Sequence, residues 1–153
     1  MTSPAWSPDG KQIAFSTNLT GRVNLWKVTA NGGWPLQLAV SDDRQYDAVW
    51  SPDGKWIVYD QDFGGHEYYD LFAVPSQGGA PVNLTNTPEI SESGAHFSRD
   101  GKTIAFGYKP KTSPVSDIAL MDWSSHKVRK LTNEQTKDHL WALDNWTNDG
   151  KYV

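Results

Sequence analysis

Residues 49–55 read Val-Trp-Ser-Pro-Asp-Gly-Lys, and the same motif recurs along the chain at nearly constant spacing. The other copies are Ala-Trp-Ser-Pro-Asp-Gly-Lys at 5–11, His-Phe-Ser-Arg-Asp-Gly-Lys at 96–102 and Asn-Trp-Thr-Asn-Asp-Gly-Lys at 145–151. Their glycines at positions 10, 54, 101 and 150 lie 44, 47 and 49 residues apart. A period of about 40–50 residues is that of a four-stranded β-propeller blade, so the repeat predicts blades.

Each copy of the motif has the composition of a β-hairpin turn. An apolar strand ends in an aromatic residue, and proline then sets φ to about −65° at the first turn corner. Asp bonds back to nearby backbone N–H groups and Gly takes the position with φ > 0. Arg99 and Asn148 replace proline in the last two copies, which a type I turn tolerates. A second strand with period-two alternation is predicted at 12–15, 56–59 and 103–106.

Two further strands follow at constant offsets in the first three repeats. Third strands are predicted at 24–28, 70–74 and 117–121, and each opens with Asp or Asn followed by Leu or Ile. Fourth strands are predicted at 35–38, 82–85 and 128–132, with leucine in register at 38, 84 and 131. We therefore predict an all-β fold: a partial β-propeller of four-stranded antiparallel blades, with three blades plus the first hairpin of a fourth.

The predicted domain is one incomplete propeller over residues 1–153. Its blades are expected at about 3–40, 46–87 and 93–133, with the start of a fourth at about 141–153. The alternative is an all-β sandwich, but unrelated hairpins would not share one register. Closed propellers typically have about 4–8 blades. We therefore expect this segment to belong to a longer protein, and to aggregate or unfold with poor cooperativity when expressed alone.

Composition narrows the classes of function. The chain has eight Trp, six Tyr and five Phe, whereas disordered segments are poor in aromatic residues. The net charge of −4 does not suit a nucleic-acid-binding face, which is basic, so no nucleic-acid partner is expected. No apolar run approaches the roughly 18–20 residues of a membrane span. The absence of cysteine excludes disulfides and thiol chemistry.

Motifs for catalysis and metal binding are missing from the sequence. There is no Gly-x-Ser-x-Gly nucleophile elbow. Residues 60–67 faintly resemble a calcium loop, but Leu71 stands where an EF-hand has its bidentate Glu, so we interpret these carboxylates as solvating an extended hairpin loop. The histidines, none of them spaced as a pair of metal ligands, are His66, His96, His126 and His139. The sequence assigns no catalytic, cofactor-binding or metal-binding residue, and it implies no cofactor.

Two further sets of residues have a structural interpretation and a functional one. Glycosylation sequons begin at Asn18, Asn83 and Asn145, and because Asn145 lies in a predicted strand, we interpret the matches as chance.

The tryptophans have the aromatic faces that a stacking platform for sugars or bases would need. Those at core-facing repeat positions are Trp6, Trp26, Trp50 and Trp146. Those predicted to line a surface or an interface are Trp34, Trp123 and Trp141.

The repeated motif resembles that of known propeller families. The hairpins at 6–11 and 50–55 are similar to the repeat of TolB-type, WD-like propellers, and this likeness covers nearly the whole chain. Residues 62–74, Asp-Phe-Gly-Gly-His-Glu-Tyr-Tyr-Asp-Leu-Phe-Ala-Val, more specifically resemble the propeller of prolyl oligopeptidase family peptidases, especially the acylaminoacyl-peptidase-like branch. Residues 32–38 with 41–45, and residues 130–134, resemble the same group.

The peptidase resemblance implies a function for the segment. In that family the propeller lies on the N-terminal side and lids an α/β-hydrolase domain that carries the Ser, Asp and His triad. No triad residue has a counterpart here, so none is carried over. The resemblance implies a non-catalytic propeller portion of a serine peptidase or hydrolase that gates substrate access. Its partners would be the C-terminal α/β-hydrolase domain of the same parent chain and a peptide substrate.

Loops between second and third strands, here residues 61–67, are expected to contribute to the gated cavity. A periplasmic or secreted location is favoured by the resemblance alone. The alternative function is a TolB-like periplasmic protein-interaction propeller with no enzymatic activity. A third candidate is a propeller that binds a carbohydrate or another small ligand through its free tryptophans.

Overall fold

The computed structural model describes residues 2–134, 136 and 141–153, and it confirms the predicted all-β partial propeller. Strands form three four-stranded antiparallel sheets, and no helix occurs in the described residues. The strands of the first sheet are β1 (Thr2–Trp6), β2 (Gln12–Thr17), β3 (Asn24–Thr29) and β4 (Leu36–Gln37). Those of the second are β5 (Gln45–Trp50), β6 (Trp56–Asp62), β7 (Tyr69–Pro75) and β8 (Val82–Asn83). Those of the third are β9 (Ile90–Phe97), β10 (Thr103–Pro110), β11 (Asp117–Asp122) and β12 (Val128–Lys130).

Strand order follows chain order in every sheet, so each sheet is a meander whose last strand is outermost. The register shows which loops share an end of the sheets. Asp62 pairs with Tyr69 and Pro110 pairs with Ile90, so the loops after β6 and β10 lie at the same end as the start of β9. The Asp-Gly hairpin turns lie at the opposite end. The loop end is where the candidate site described below is formed.

The hairpin turn forms by the same hydrogen bonds in every copy of the motif. Ser51 Oγ donates to Asp53 Oδ1 at 2.6 Å, and the same oxygen accepts the Lys55 N–H at 3.1 Å. The Trp56 N–H returns to Ser51 Oγ at 3.0 Å. Gly54 has φ 71°, as its turn position requires. These bonds lower the pKa of Asp53, because the ionised carboxylate accepts them.

The fourth copy forms its turn although residues 141–153 contain no strand. The Thr147 N–H donates to Tyr152 O at 2.9 Å, and Thr147 Oγ1 donates to Asp149 Oδ1 at 2.7 Å. Asn145 therefore does not lie in a strand, contrary to the sequence-based expectation. The motif alone is sufficient for the turn, whereas a strand needs a partner along its whole length.

The hydrophobic core lies between the sheets, because the middle strands bury both of their faces. Alternate residues of β6 point to opposite sides: Ile57 and Tyr59 pack in the core between the first and second sheets. Val58 packs in the core between the second and third sheets, together with Leu71. All of these side chains are fully buried. Two-sided burial explains why the strand reads as an apolar run.

Tryptophan at the end of a first strand ties one blade to the blade before it. Trp50 is buried, and its indole Nε1 donates to Ala5 O of the preceding blade at 3.0 Å. Trp146 makes the same bond to His96 O at 2.9 Å. Trp6 has the same repeat position but is 59% exposed, so the expectation that it faces a core was wrong. In the later repeats the indole at this position packs on the preceding blade. No sheet precedes β1 in the described residues, so Trp6 has no such surface to pack on.

Phenylalanine at the equivalent position needs another means of joining the blades. Phe97 has no N–H group, and its ring instead meets Trp123 edge-on at a centroid distance of 5.2 Å. Trp123 also contacts Trp56 of the second sheet, edge-on at 6.1 Å. Trp123 thus lies at the interface between the second and third sheets, one of the two places expected for it.

Replacing Trp50 by phenylalanine is expected to lower the free energy of unfolding by about 1–2 kcal/mol, since it removes the indole bond and part of the buried volume. Phenylalanine is the residue that the third repeat has at this position, so the fold itself should survive. Chemical denaturation of the full-length polypeptide, with and without W50F, measures the difference. The matched control is Trp6→Phe, at the exposed copy of the position, which should change stability by less than about 0.5 kcal/mol. Equal losses for the two variants would contradict the inter-blade role.

Candidate functional site

A cavity of about 530 Å³ opens between the second and third sheets, at the loop end of the strands. Its walls are the β6–β7 loop, the segment between β8 and β9, and the start of the β10–β11 loop. We call it the inter-blade groove, defined by Phe63, Tyr68, Tyr69, Pro88, Ile90 and Lys111. It lies beside the loop of residues 61–67 that the sequence singled out. Cavities of about 300–1,000 Å³ are typical of ligand pockets.

The β6–β7 loop is wound around one buried carboxylate. Asp62 Oδ1 accepts the N–H of Phe63 at 2.8 Å and the N–H of Glu67 at 3.0 Å. Arg44 Nε lies 3.7 Å from Asp62 Oδ2, and the Asp62 side chain is 1% exposed. Gly64 has φ 62°, which lets the chain turn back over the carboxylate.

The interpretation of the carboxylates at 60–67 as solvating the loop was wrong for Asp60 and Asp62, whereas Glu67 is exposed. Asp60 and Asp62 are both buried, and each accepts backbone N–H groups. Asp60 Oδ2 accepts the Gly94 N–H of the third sheet at 2.9 Å, and burial raises the pKa of Asp60 well above its usual value. In the described part of the chain no three carboxylate or imidazole side chains converge as a metal-binding group. The loop is therefore a backbone-capping structure around its acids.

The floor of the groove contains Asp70, the first residue of a predicted third strand. Asp70 Oδ2 accepts Asn83 Nδ2 at 2.6 Å, and Oδ1 accepts the Thr87 N–H at 3.4 Å. The corresponding Asn24 and Asp117 likewise accept from residues at or beyond their own fourth strands. The Asp or Asn at the start of each third strand thus holds, by hydrogen bonds, the segment that leaves its own blade. The sequence showed the repetition of this residue without showing its contacts.

Glu92 lies beneath the groove and was not identified from the sequence. Its side chain is 1% exposed, and Oε1 accepts a hydrogen bond from Thr87 Oγ1. Among the described residues nothing donates to Glu92 Oε2. Burial raises the pKa of Glu92 to about 7, the Thr87 bond opposes the rise, and the negative charge of Asp70 adds to it. The one signal for Glu92 in the sequence was its place in the repeat. Glu92 stands five residues before Phe97, as the buried Gln45 stands five residues before Trp50.

The groove presents aromatic faces and one ammonium group. Phe63 is 43% exposed, and its ring contacts Phe72 at 6.3 Å. Lys111 Nζ lies 4.7 Å from the centroid of the Tyr68 ring. This arrangement offers stacking, apolar contact and one cationic group, which are means of binding rather than of bond cleavage.

The three histidines in the described residues lie apart from one another. His66 is exposed in the β6–β7 loop and borders the groove. His96 is half-buried on β9, where burial lowers its pKa. His126 is exposed in the β11–β12 turn, with its ring 6.0 Å from Trp123. His139 lies outside the described residues.

The sequons and the remaining tryptophans occupy surface positions with one exception. Asn18 and Asn145 are exposed, whereas Asn83 is half-buried and its amide is bound to Asp70. Trp34 is 96% exposed, and Trp141 is exposed as well. Within residues 2–134, 136 and 141–153, no helix has the length and apolar character needed to span a bilayer.

Comparison with known proteins gives the relatives of this fold. A family model described as the TolB beta propeller domain matches residues 1–147. A solved TolB-like protein from Agrobacterium tumefaciens is 21% identical, with a TM-score of 0.73 over 84% of this chain and 47% of that one. TolB from Acinetobacter baumannii is 25% identical, with a TM-score of 0.67 over 85% of this chain and 32% of that one.

A prolyl endopeptidase structure is also similar, at 18% identity and a TM-score of 0.63 over 88% of this chain and 22% of that one. The chain thus spans less than half the length of each of these solved relatives. No curated protein matches it in sequence.

Proposed function

Since this chain belongs to the TolB β-propeller domain family, we propose that it is the non-catalytic propeller portion of a serine peptidase or hydrolase. In this role it gates the access of peptide substrates to a C-terminal α/β-hydrolase domain of the same parent chain. The observation that carries the proposal is the inter-blade groove, which lies beside the β6–β7 loop, within the stretch 62–74 that resembles the peptidase propellers. The fold similarity to a prolyl endopeptidase is consistent with it.

Peptide binding suits the chemistry of the groove. An extended peptide presents apolar side chains, which Phe63, Tyr68 and Ile90 can contact. Lys111 supplies an ammonium group at the rim for a carboxylate or a backbone carbonyl. The loop itself is held in place by Asp62, so its aromatic residues are pre-positioned and lose little conformational freedom on binding.

A second candidate is a TolB-like protein-interaction propeller without enzymatic activity. The observation that favours it is the 25% identity to TolB from Acinetobacter baumannii over 85% of this chain. The same groove then serves as a docking site for a partner protein. The two proposals share the binding surface and differ in what is joined to the propeller.

One experiment separates the two candidates. A fluorophosphonate probe, which labels the nucleophilic serine of serine hydrolases, is applied to the native full-length polypeptide. Labelling, together with a Gly-x-Ser-x-Gly motif in the coding sequence beyond Val153, is the result expected for the peptidase. A coding sequence that completes the propeller and then stops, with no labelling, contradicts the peptidase and favours the interaction propeller.

Substitution of Tyr68 by alanine tests the groove in the full-length polypeptide. We expect KM for long peptides to rise about 3–10-fold with little change in kcat, since the lost contact is made equally in the ground state and the transition state. Steady-state kinetics over a series of peptide lengths measures this. Trp34→Ala is the matched control, because Trp34 is exposed and remote from the groove residues. An unchanged KM for Tyr68→Ala at every length contradicts the proposed role.

A further inference from the structure

Two buried acidic side chains beneath the inter-blade groove are bridged by one threonine, Thr87. Glu92 of β9 and Asp70 of β7 are both buried. Both carboxylates bind Thr87, and the negative charge of Asp70 adds to the burial that raises the pKa of Glu92. Burial disfavours the charged form of Glu92, and a second negative charge beside Asp70 disfavours it further, so Glu92 holds its proton more tightly while it stays buried.

The segment between β8 and β9 is fastened to this acid pair. The Thr87 N–H donates to Asp70 Oδ1 at 3.4 Å, while Thr87 Oγ1 donates to Glu92 Oε1. Thr85, two positions earlier in the same segment, instead accepts the Leu71 N–H through its Oγ1 at 3.1 Å. Thr87 also lines the groove, as does its neighbour Pro88. The charge state of the pair therefore acts directly on one wall of the groove.

The surroundings of Glu92 offer little compensation for a second charge. Tyr108 of β10 is its cross-strand partner, and Asp60 of β6 binds the backbone of Gly94 further along β9. Glu89, in the segment before β9, is exposed and carries the same sign of charge. Within the described residues no lysine, arginine or histidine forms an ion pair with Glu92.

We propose that Glu92, Asp70 and Thr87 form a proton-dependent latch, which holds segment 84–90 against the groove at mildly acidic pH and releases it above neutral pH. As regulation of peptide binding, this inference rests on the function proposed above. The latch itself depends only on the contacts of these three residues. Ionisation of Glu92 places a second negative charge beside Asp70, and moving segment 84–90 outward admits the water that solvates it.

The direction of the pH effect follows from the proton balance. Burial raises the pKa of Glu92 from 4.5 to about 7 in the closed state, whereas in the open, solvated state it returns to its ordinary value. Between these values the closed state binds more protons than the open state, so a rise in pH favours opening. From pH 5.5 to pH 8 the opening equilibrium constant is expected to increase about 30-fold.

Amide hydrogen exchange of the whole protein tests the latch. Protection factors of the Thr87 and Ile90 amides, corrected for the intrinsic rate at each pH, should fall about 30-fold between pH 5.5 and pH 8. Glu92→Gln, which is nearly isosteric, neutral at every pH and keeps an acceptor for Thr87 Oγ1, should show the same protection at both pH values. Glu89→Gln is the matched control in the same segment and should keep the full pH dependence.

A carboxyl carbon NMR titration of Glu92 in the wild type gives a measurement that needs no variant. A titration midpoint near 4.5, or a Glu92→Gln protein that keeps the wild-type pH dependence of exchange, would overturn the latch. Peptide binding is measured separately on the same samples. If no peptide binds at any pH while exchange behaves as expected, the proposed function fails and the latch stands.

Discussion

Replacing Phe106 by alanine is expected to lower the free energy of unfolding by about 3–5 kcal/mol. Phe106 is fully buried on β10, in the core cluster that contains Val58, Leu71 and Ile104. Its side chain faces the second sheet, so the cavity left by the substitution lies at the junction of two blades. Surrounding residues can collapse only a little, because their positions are set by the strand ladders of both sheets. Chemical denaturation of the full-length polypeptide, wild type and variant, measures the loss.

The matched control is an exposed aromatic residue in the same protein. Trp34→Ala removes a larger side chain that is 96% exposed, and stability should change by less than about 0.5 kcal/mol. A loss below about 1 kcal/mol for Phe106→Ala would show that the two sheets do not share a packed core. This comparison tests the relation between the blades rather than the existence of each hairpin.

Replacing Asp62 by alanine is expected to destabilise the protein by about 2–4 kcal/mol, because charged hydrogen bonds and a partly buried ion pair are lost together. The N–H groups of Phe63 and Glu67 lose their shared acceptor, and Arg44 loses its partner. Loop 63–68 then no longer has a fixed conformation. We expect faster amide exchange at Phe63 and Glu67, together with weaker peptide binding in the groove.

Two control variants distinguish the effect of losing the Asp62 carboxylate from the effect of any substitution on stability. Asp62→Asn keeps an oxygen that accepts N–H groups, so it should lose about half as much stability as Asp62→Ala. Asp42→Ala removes an exposed carboxylate 3.7 Å from Arg22, and a surface pair of this kind contributes at most about 1 kcal/mol. Unchanged exchange at Phe63 and Glu67 in Asp62→Ala would contradict the capping role.

Most of the architecture could be predicted because each element of a blade has a local sequence signal. The Ser-Pro-Asp-Gly turn at 51–54 forms hydrogen bonds only with residues up to five positions away. The short apolar runs at the start of β6 and β10 follow from the geometry of a strand with two buried faces. The exact blade boundaries stay predictions. The errors arose where the outcome depended on a partner in another part of the fold, as with Trp6 and Asn145.

The candidate site could be predicted only in part. The sequence indicated the loop at 61–67, since its glycines and its likeness to peptidase propellers set it apart. It did not indicate Glu92, because a single glutamate in an otherwise half-polar strand resembles a solvent-exposed residue. The same is true of Thr87, whose hydroxyl group becomes informative only when Glu92 lies beside it. Thr87 also donates its N–H to Asp70 of the second sheet, so the arrangement depends on how the second and third sheets are placed.

The sequence by itself determined the four turns, the strands between them and the four-stranded blade, because turn chemistry and period-two alternation act between near neighbours. Tertiary structure alone decided which acids are buried, since the burial of Asp60, Asp62 and Glu92 depends on how adjacent blades stack. It also decided that the groove lies between the second and third sheets. Burial and proton affinity depend on the distances between groups that are far apart in the chain, and only the packed structure sets those distances.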